Sequence, residues 1–262
     1  MKIKMLSAIL VTIAVLGTVL STGSALAGGV LLDDFLTTGN ATTPVVSGLS
    51  TTTTTNPIAS PADIIGGFRT MTVTANALEE PTVATSWAVS TSLDRLTGSA
   101  PDGVVPKYEV TYAGANPPGT GFTPTNFINP ILPLSDHFVF MQLRSNDQAN
   151  APYRWTFTDQ NGNSSAFNGT LPVKGSGGSP LPVSAPLDQF VGTADFTKIT
   201  KIEFAVNPNL DSAFEGLDIS FTNSFVVVPE PSTIVFAGLG VAMSGWHTLR
   251  SRRRKLAASR QG

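Results

Sequence analysis

The chain has 262 residues, with no cysteine, two histidines, and 16 basic residues against 18 acidic ones. The lack of cysteine excludes a disulfide framework and, with so few histidines, leaves almost no room for a zinc site built from His and Cys. Eight of the basic residues but seventeen of the acids fall between residues 28 and 228, so that stretch carries about nine net negative charges and offers no basic footprint for nucleic acid.

At the amino terminus, Lys2 and Lys4 precede an apolar run over residues 5–20, and Ala25-Leu26-Ala27 follows it. A short positive segment, an apolar segment and a small-residue A-x-A site together read as a secretory signal peptide for Sec-type export machinery. Cleavage at this site, whose small residues are Ala25 and Ala27, is expected to leave Gly28 as the first mature residue. The organisation predicted is a signal peptide over 1–27, an exported domain over 28–228 and a terminal segment over 229–262.

Within the exported domain, runs rich in Val, Ile, Phe, Thr and Tyr are predicted as strands at 30–36, 64–75, 82–90, 104–112, 137–144, 153–159, 164–171, 198–206 and 217–228. Several show a period of two. Tyr153, Trp155 and Phe157 alternate with Arg154, Thr156 and Thr158, and Ile202, Phe204 and Val206 alternate with Lys201, Glu203 and Ala205. No stretch sustains an apolar period of 3.6 over three turns, so few helices are expected. Residues 36–61 are dominated by Thr, Ser, Pro and Gly, with five consecutive threonines from Thr51, and read as a long exposed loop. A second loop is expected around residues 176–179. The fold class predicted is all-β: a two-sheet antiparallel β-sandwich of the jelly-roll kind, roughly two hundred residues being ample for one such core.

The phrases Leu31-Leu32-Asp33-Asp34-Phe35, Ile64-Ile65-Gly66-Gly67-Phe68-Arg69, Asp159-Gln160-Asn161-Gly162-Asn163 and Glu215-Gly216-Leu217-Asp218-Ile219 resemble those of galactose-binding-like jelly rolls. The resemblance covers most of the exported domain and implies the sandwich fold. Fold by itself implies no function.

The chain closes with Pro229-Glu230-Pro231, an apolar stretch over 234–249 and a basic cluster of Arg250, Arg252, Arg253, Arg254 and Lys255. An uncharged run of this length suits a single transmembrane helix, and the basic residues behind it are a stop that keeps the carboxyl terminus cytoplasmic. Each proline disfavours a helical residue before it, so the tripeptide is expected to be extended just outside the membrane. In this order the elements resemble the sorting segment of PEP-CTERM proteins. The resemblance implies that an exosortase, an integral-membrane cysteine peptidase, recognises Pro229, Glu230 and Pro231 and removes the tail. The domain would then pass to the cell surface or extracellular matrix, in association with exopolysaccharide or biofilm. A plain membrane anchor without processing is the other reading of the same residues.

Catalytic patterns are thin. Of the two histidines, His247 lies in the apolar stretch, so a Ser-His-Asp arrangement would need His137, and no Gly-x-Ser-x-Gly elbow occurs. The expected domain is therefore non-catalytic and without a cofactor, with structural calcium open if Asp33 or Asp34 meets Glu215 or Asp218 at one end of the sandwich. As an alternative function, a carbohydrate-binding module would use exposed aromatics, for which Trp87, Tyr108 and Tyr112 are the candidates.

Overall fold

The computed structural model describes residues 28–35, 39–43, 47–57, 65–78, 83–90, 93–113, 121–130 and 132–228. The expected signal peptide with Ala25 and Ala27, the Pro229-Glu230-Pro231 tripeptide, the apolar span and the basic cluster lie outside these residues. Among the described residues no helix is long and apolar enough to cross a membrane.

Residues 29–228 make one compact unit. Its described strands are β1 (Gly28–Asp33), β2 (Gly39–Thr42), β3 (Gly48–Pro57), β4 (Phe68–Ala77), β5 (Ser86–Ser90), β6 (Arg95–Ser99), β7 (Val104–Ala113), β8 (Phe138–Asn146), β9 (Ala151–Asp159), β10 (Ser164–Leu171), β11 (Leu181–Pro186), β12 (Val191–Gly192), β13 (Ile199–Val206) and β14 (Ile219–Val228). Sheet A runs β11-β8-β14-β6-β5-β2, with β1 also paired to β14, and sheet B runs β12-β10-β9-β13-β7-β4-β3. The chain crosses from B to A after β7, returns for β9, and crosses again for β11 and β14, as two packed antiparallel sheets require. Four short 3-10 turns are the helical elements among the described residues.

Residues 36–61 correct the expected loop, because they contain β2 and β3. The threonine run lies in β3, paired residue for residue with β4 from Gly48↔Ala77 to Pro57↔Phe68. Threonine is β-branched and suits a pleated strand, but β3 is the edge of sheet B and needs no apolar alternation. Its hydroxyls pair across the strands instead, Thr51 to Thr74 and Thr53 to Thr72, both at 3.1 Å. β6, β11 and β12 are further strands without a strong apolar signal. β11 carries Pro182 and Pro186 and is the edge of sheet A, where a missing N–H is tolerated.

The alternating strands bury the faces that their period predicts. Tyr153, Trp155 and Phe157 on β9 and Ile202, Phe204 and Val206 on β13 enter the core, while Arg154, Thr156 and Thr158 stay partly exposed. Phe204 joins the layers, with its ring 4.6 Å from that of Trp155 in sheet B and 5.3 Å, edge-on, from that of Phe221 in sheet A. Burial of an aromatic side chain of this size is worth about 1.5–3 kcal/mol.

Between β9 and β10 the turn is organised by Asp159. Its carboxylate accepts the N–H groups of Asn161 at 2.8 Å and of Asn163 and Asp195 at 3.0 Å, while Gly162 takes the positive φ of 84° that closes the turn. These donors, the Asp195 N–H foremost, hold the carboxyl down at about 2. A folded-state pKa below the unfolded one means that the stabilisation is complete above about pH 4 and is lost as pH falls through about 2. Acid unfolding curves are expected to be less steep over that window for Asp159→Asn than for the parent protein, measured by intrinsic fluorescence.

Candidate functional site on the outer faces of the sheets

Trp87, Tyr108 and Tyr112, the expected sugar platform, are corrected by the structure: all three have zero exposure. Trp87 stacks on Tyr108 with ring centroids 5.0 Å apart, and its indole N–H donates to the Glu109 carbonyl at 3.0 Å. The Tyr108 hydroxyl donates to the Leu217 carbonyl at 2.9 Å and that of Tyr112 to Asp33 at 3.1 Å. Burial pushes both phenols well above their ordinary range. On β7 the period of two places Tyr108, Val110 and Tyr112 on the inner face, so aromatic identity alone misassigns them.

The acids proposed for calcium are also separated. Asp33 binds Arg69 at 2.6 Å, with both side chains wholly buried, beside Tyr112 at the end of β7. Glu215 accepts the Gly103 N–H at 2.6 Å, just before the start of β7, and Asp218 accepts the Ala100 N–H at 3.2 Å. Ten residues of strand at about 3.3 Å each divide the two ends. Asp34, next to Asp33, is half-buried. Among the described residues, no three His, Asp or Glu side chains are gathered to hold a metal ion.

His137 is fully buried just before β8. Its Nε2 accepts the Asn129 N–H at 2.7 Å, which leaves Nδ1–H to donate to the Pro133 carbonyl at 3.0 Å. Both ring nitrogens thus hold the 129–137 segment in place.

The outer face of sheet B is polar and largely self-paired. Lys107 meets Glu109 at 2.7 Å, Lys201 meets Glu203 at 2.8 Å, and Arg154 donates to Asn168 at 2.9 Å. A shallow depression of about 120 Å³ lies among Lys107, Glu109, Arg154, Thr156, Glu203, Ala205 and Pro208. Each cation there already has a partner.

Sheet A differs. Val139, Met141 and Leu143 of β8 point into the core, so Phe138, Phe140, Gln142 and Arg144 face outward. The two phenyl rings are half-buried, 6.1 Å apart and inclined at 48°. On the neighbouring β11, Pro186 stands opposite Phe138, Ser184 opposite Phe140 and Pro182 opposite Gln142. On the other side Thr222 of β14 stands opposite Gln142 and donates to it at 3.3 Å. Apolar rings flanked by amide, hydroxyl and guanidinium groups suit the two sides of a sugar, its C–H face and its hydroxyl rim. These residues were missed from sequence because β8 opens with apolar residues on both faces.

Neither a protein-family model nor a curated protein sequence matches this chain. Among solved structures, a family 11 carbohydrate-binding module from Clostridium thermocellum, in complex with a β-1,3-1,4-mixed-linked tetrasaccharide, aligns with 78% of this chain and 97% of its own at 14% identity and a TM-score of 0.37. An exo-β-agarase aligns with 77% of this chain at 11% identity and a TM-score of 0.36, and this chain spans only 25% of the agarase. Likeness of this degree carries no argument about ligand or activity, and the assignment as an all-β, two-sheet sandwich rests on the strand pairing itself.

Proposed function

We propose that the protein is an exported, non-catalytic component of the cell surface or extracellular matrix, sorted by an exosortase through Pro229, Glu230 and Pro231, whose sandwich contacts polysaccharide through the outer face of sheet A. The observation that carries the glycan contact is the outward pair Phe138 and Phe140 beside Pro186, Ser184 and Gln142. Half-buried rings on a strand face are positioned to stack on sugars without costing the core its packing. The sorting step rests on the order of tripeptide, apolar run and basic cluster in the sequence.

Both parts have direct tests. In affinity electrophoresis against a panel of neutral and acidic polysaccharides, the parent protein is expected to be retarded by at least one polymer. Phe138→Ser with Phe140→Ser is expected to abolish that retardation while the protein, though lower in melting temperature, keeps its folded far-ultraviolet circular dichroism at the assay temperature. Unchanged retardation in the double variant would remove this face as the contact. Mass spectrometry of the mature protein from its native cell is expected to find a carboxyl terminus near Pro231; retention of residues 250–255 would favour the plain anchor.

A further inference from the structure

The two sheets treat their outward cations differently. On sheet B the cations Lys107, Lys201 and Arg154 all have side-chain partners on the same face. On sheet A, Arg95 of β6 and Arg144 of β8 make no ion pair and no side-chain hydrogen bond among the described residues, and the Nε of each is enclosed and unpartnered. The nearest acids in sequence, Asp94 and Asp147, do not pair with them, and Asp147 is engaged by the Asp218 N–H at 3.0 Å. None of the outward residues of β6, β8 or β11 is acidic.

The strand register brings these groups together. Thr97 of β6, Ser220 of β14 and Ser145 of β8 form one row, and the Ser220 hydroxyl in it is enclosed and also unpartnered. Arg95 stands two residues before Thr97 on the same face, and Arg144 precedes Ser145 at the bulge between Ser220 and Phe221. Strands β6 and β8 flank β14, so their backbones are about 10 Å apart, within reach of two arginine side chains converging on one group. No protein carboxylate pairs with either guanidinium among the described residues, so a ligand that supplies acceptors to their terminal Nη groups makes pairs that the fold itself leaves unmade. A guanidinium fork matches a carboxylate bidentately.

The geometry points to recognition of a carboxylate-bearing polysaccharide, a uronate polymer, with Arg95 and Arg144 gripping the carboxylate while Phe138 and Phe140 carry the sugar ring. This rests on the proposed glycan contact and narrows it to acidic sugars. A domain carrying about nine net negative charges repels such a polymer over most of its surface, whereas Arg95 and Arg144, unpaired among the described residues, attract it.

The test uses the full-length protein in detergent micelles, with polygalacturonate, alginate and hyaluronate as probes and their methyl esters as neutral counterparts. At least one acid form is expected to bind at least tenfold more tightly than its ester, with affinity falling severalfold between 50 and 500 mM salt. Arg95→Ala and Arg144→Ala are each expected to weaken that binding by about tenfold or more, while Lys107→Ala on sheet B leaves it unchanged. Equal affinity for acid and ester overturns the uronate assignment and leaves the glycan contact standing. Failure to bind any uronate polymer while neutral glycans bind does the same, and failure to bind any glycan overturns both. Binding that persists in the Arg95→Ala, Arg144→Ala double variant assigns the polyanion to the basic cluster at residues 250–255 and also overturns the inference.

Discussion

Asp33→Asn is expected to destabilise the sandwich by about 3–5 kcal/mol, because an amide NH2 replaces one of the two buried acceptor oxygens and faces a donor of Arg69, Tyr112 or Phe35. Asp33 accepts from Arg69 at 2.6 Å, from Tyr112 at 3.1 Å and from the Phe35 N–H at 2.8 Å, all in the interior. Tyr112→Phe removes one of these bonds and is expected to cost only about 1 kcal/mol. If specificity of packing and not net ion-pair energy is what the cluster supplies, Asp33→Leu with Arg69→Met recovers most of the loss, and urea denaturation of the three variants decides it. Burial pushes the Asp33 carboxyl up to about 6, with the Arg69 charge opposing. Because the folded value exceeds the unfolded one of 3.8, this group's stabilising contribution is complete below about pH 4 and is lost as pH rises through about 6. The stability gap between parent and Asp33→Asn is therefore expected to narrow between those pH values. This is opposite in sign to the Asp159 effect, so the two can be separated in one series of melts.

Trp87→Ala is expected to cost about 3–5 kcal/mol, and any loss of glycan retention in that variant would follow from unfolding. The indole is wholly buried, stacked on Tyr108 and hydrogen-bonded to the Glu109 carbonyl, so truncation opens a large cavity and leaves an acceptor without its donor. The same stack explains Gly98 on β6. A Cβ at that position would lie 2.8 Å from the Tyr108 ring, which is itself wholly buried and stacked on Trp87. Gly98→Ala is accordingly expected to destabilise by about 1–3 kcal/mol, seen as a lower melting temperature with the near-ultraviolet signal of the aromatic pair altered.

Local patterning carried much of the fold. The period of two over residues 153–159 and 202–206 predicts which aromatics enter the core, and the lack of a helical period predicts an all-β domain. Both hold, because alternation is a property of a strand's own backbone and is written in consecutive residues. The Asp159 turn was legible for the same reason: its donors Asn161 and Asn163 lie within four residues.

What lay outside the sequence depends on contacts between residues far apart in the chain. The threonines of β3 look like a loop until β4 supplies hydroxyl partners about twenty residues away. Trp87, Tyr108 and Tyr112 read as a platform until β5 and β7 are packed face to face, whereas Phe138 and Phe140, unremarked in a strand apolar on both sides, are the aromatics turned outward. Asp33 and Arg69, 36 residues apart, become a buried pair only when β1 and β4 meet across the core. The amino-acid order by itself determined the strand periods and the acidic character of residues 28–228. Only the tertiary structure decided which face of each strand is wet and which charges are paired, because burial and pairing are set by the register between strands, and no residue carries that register alone.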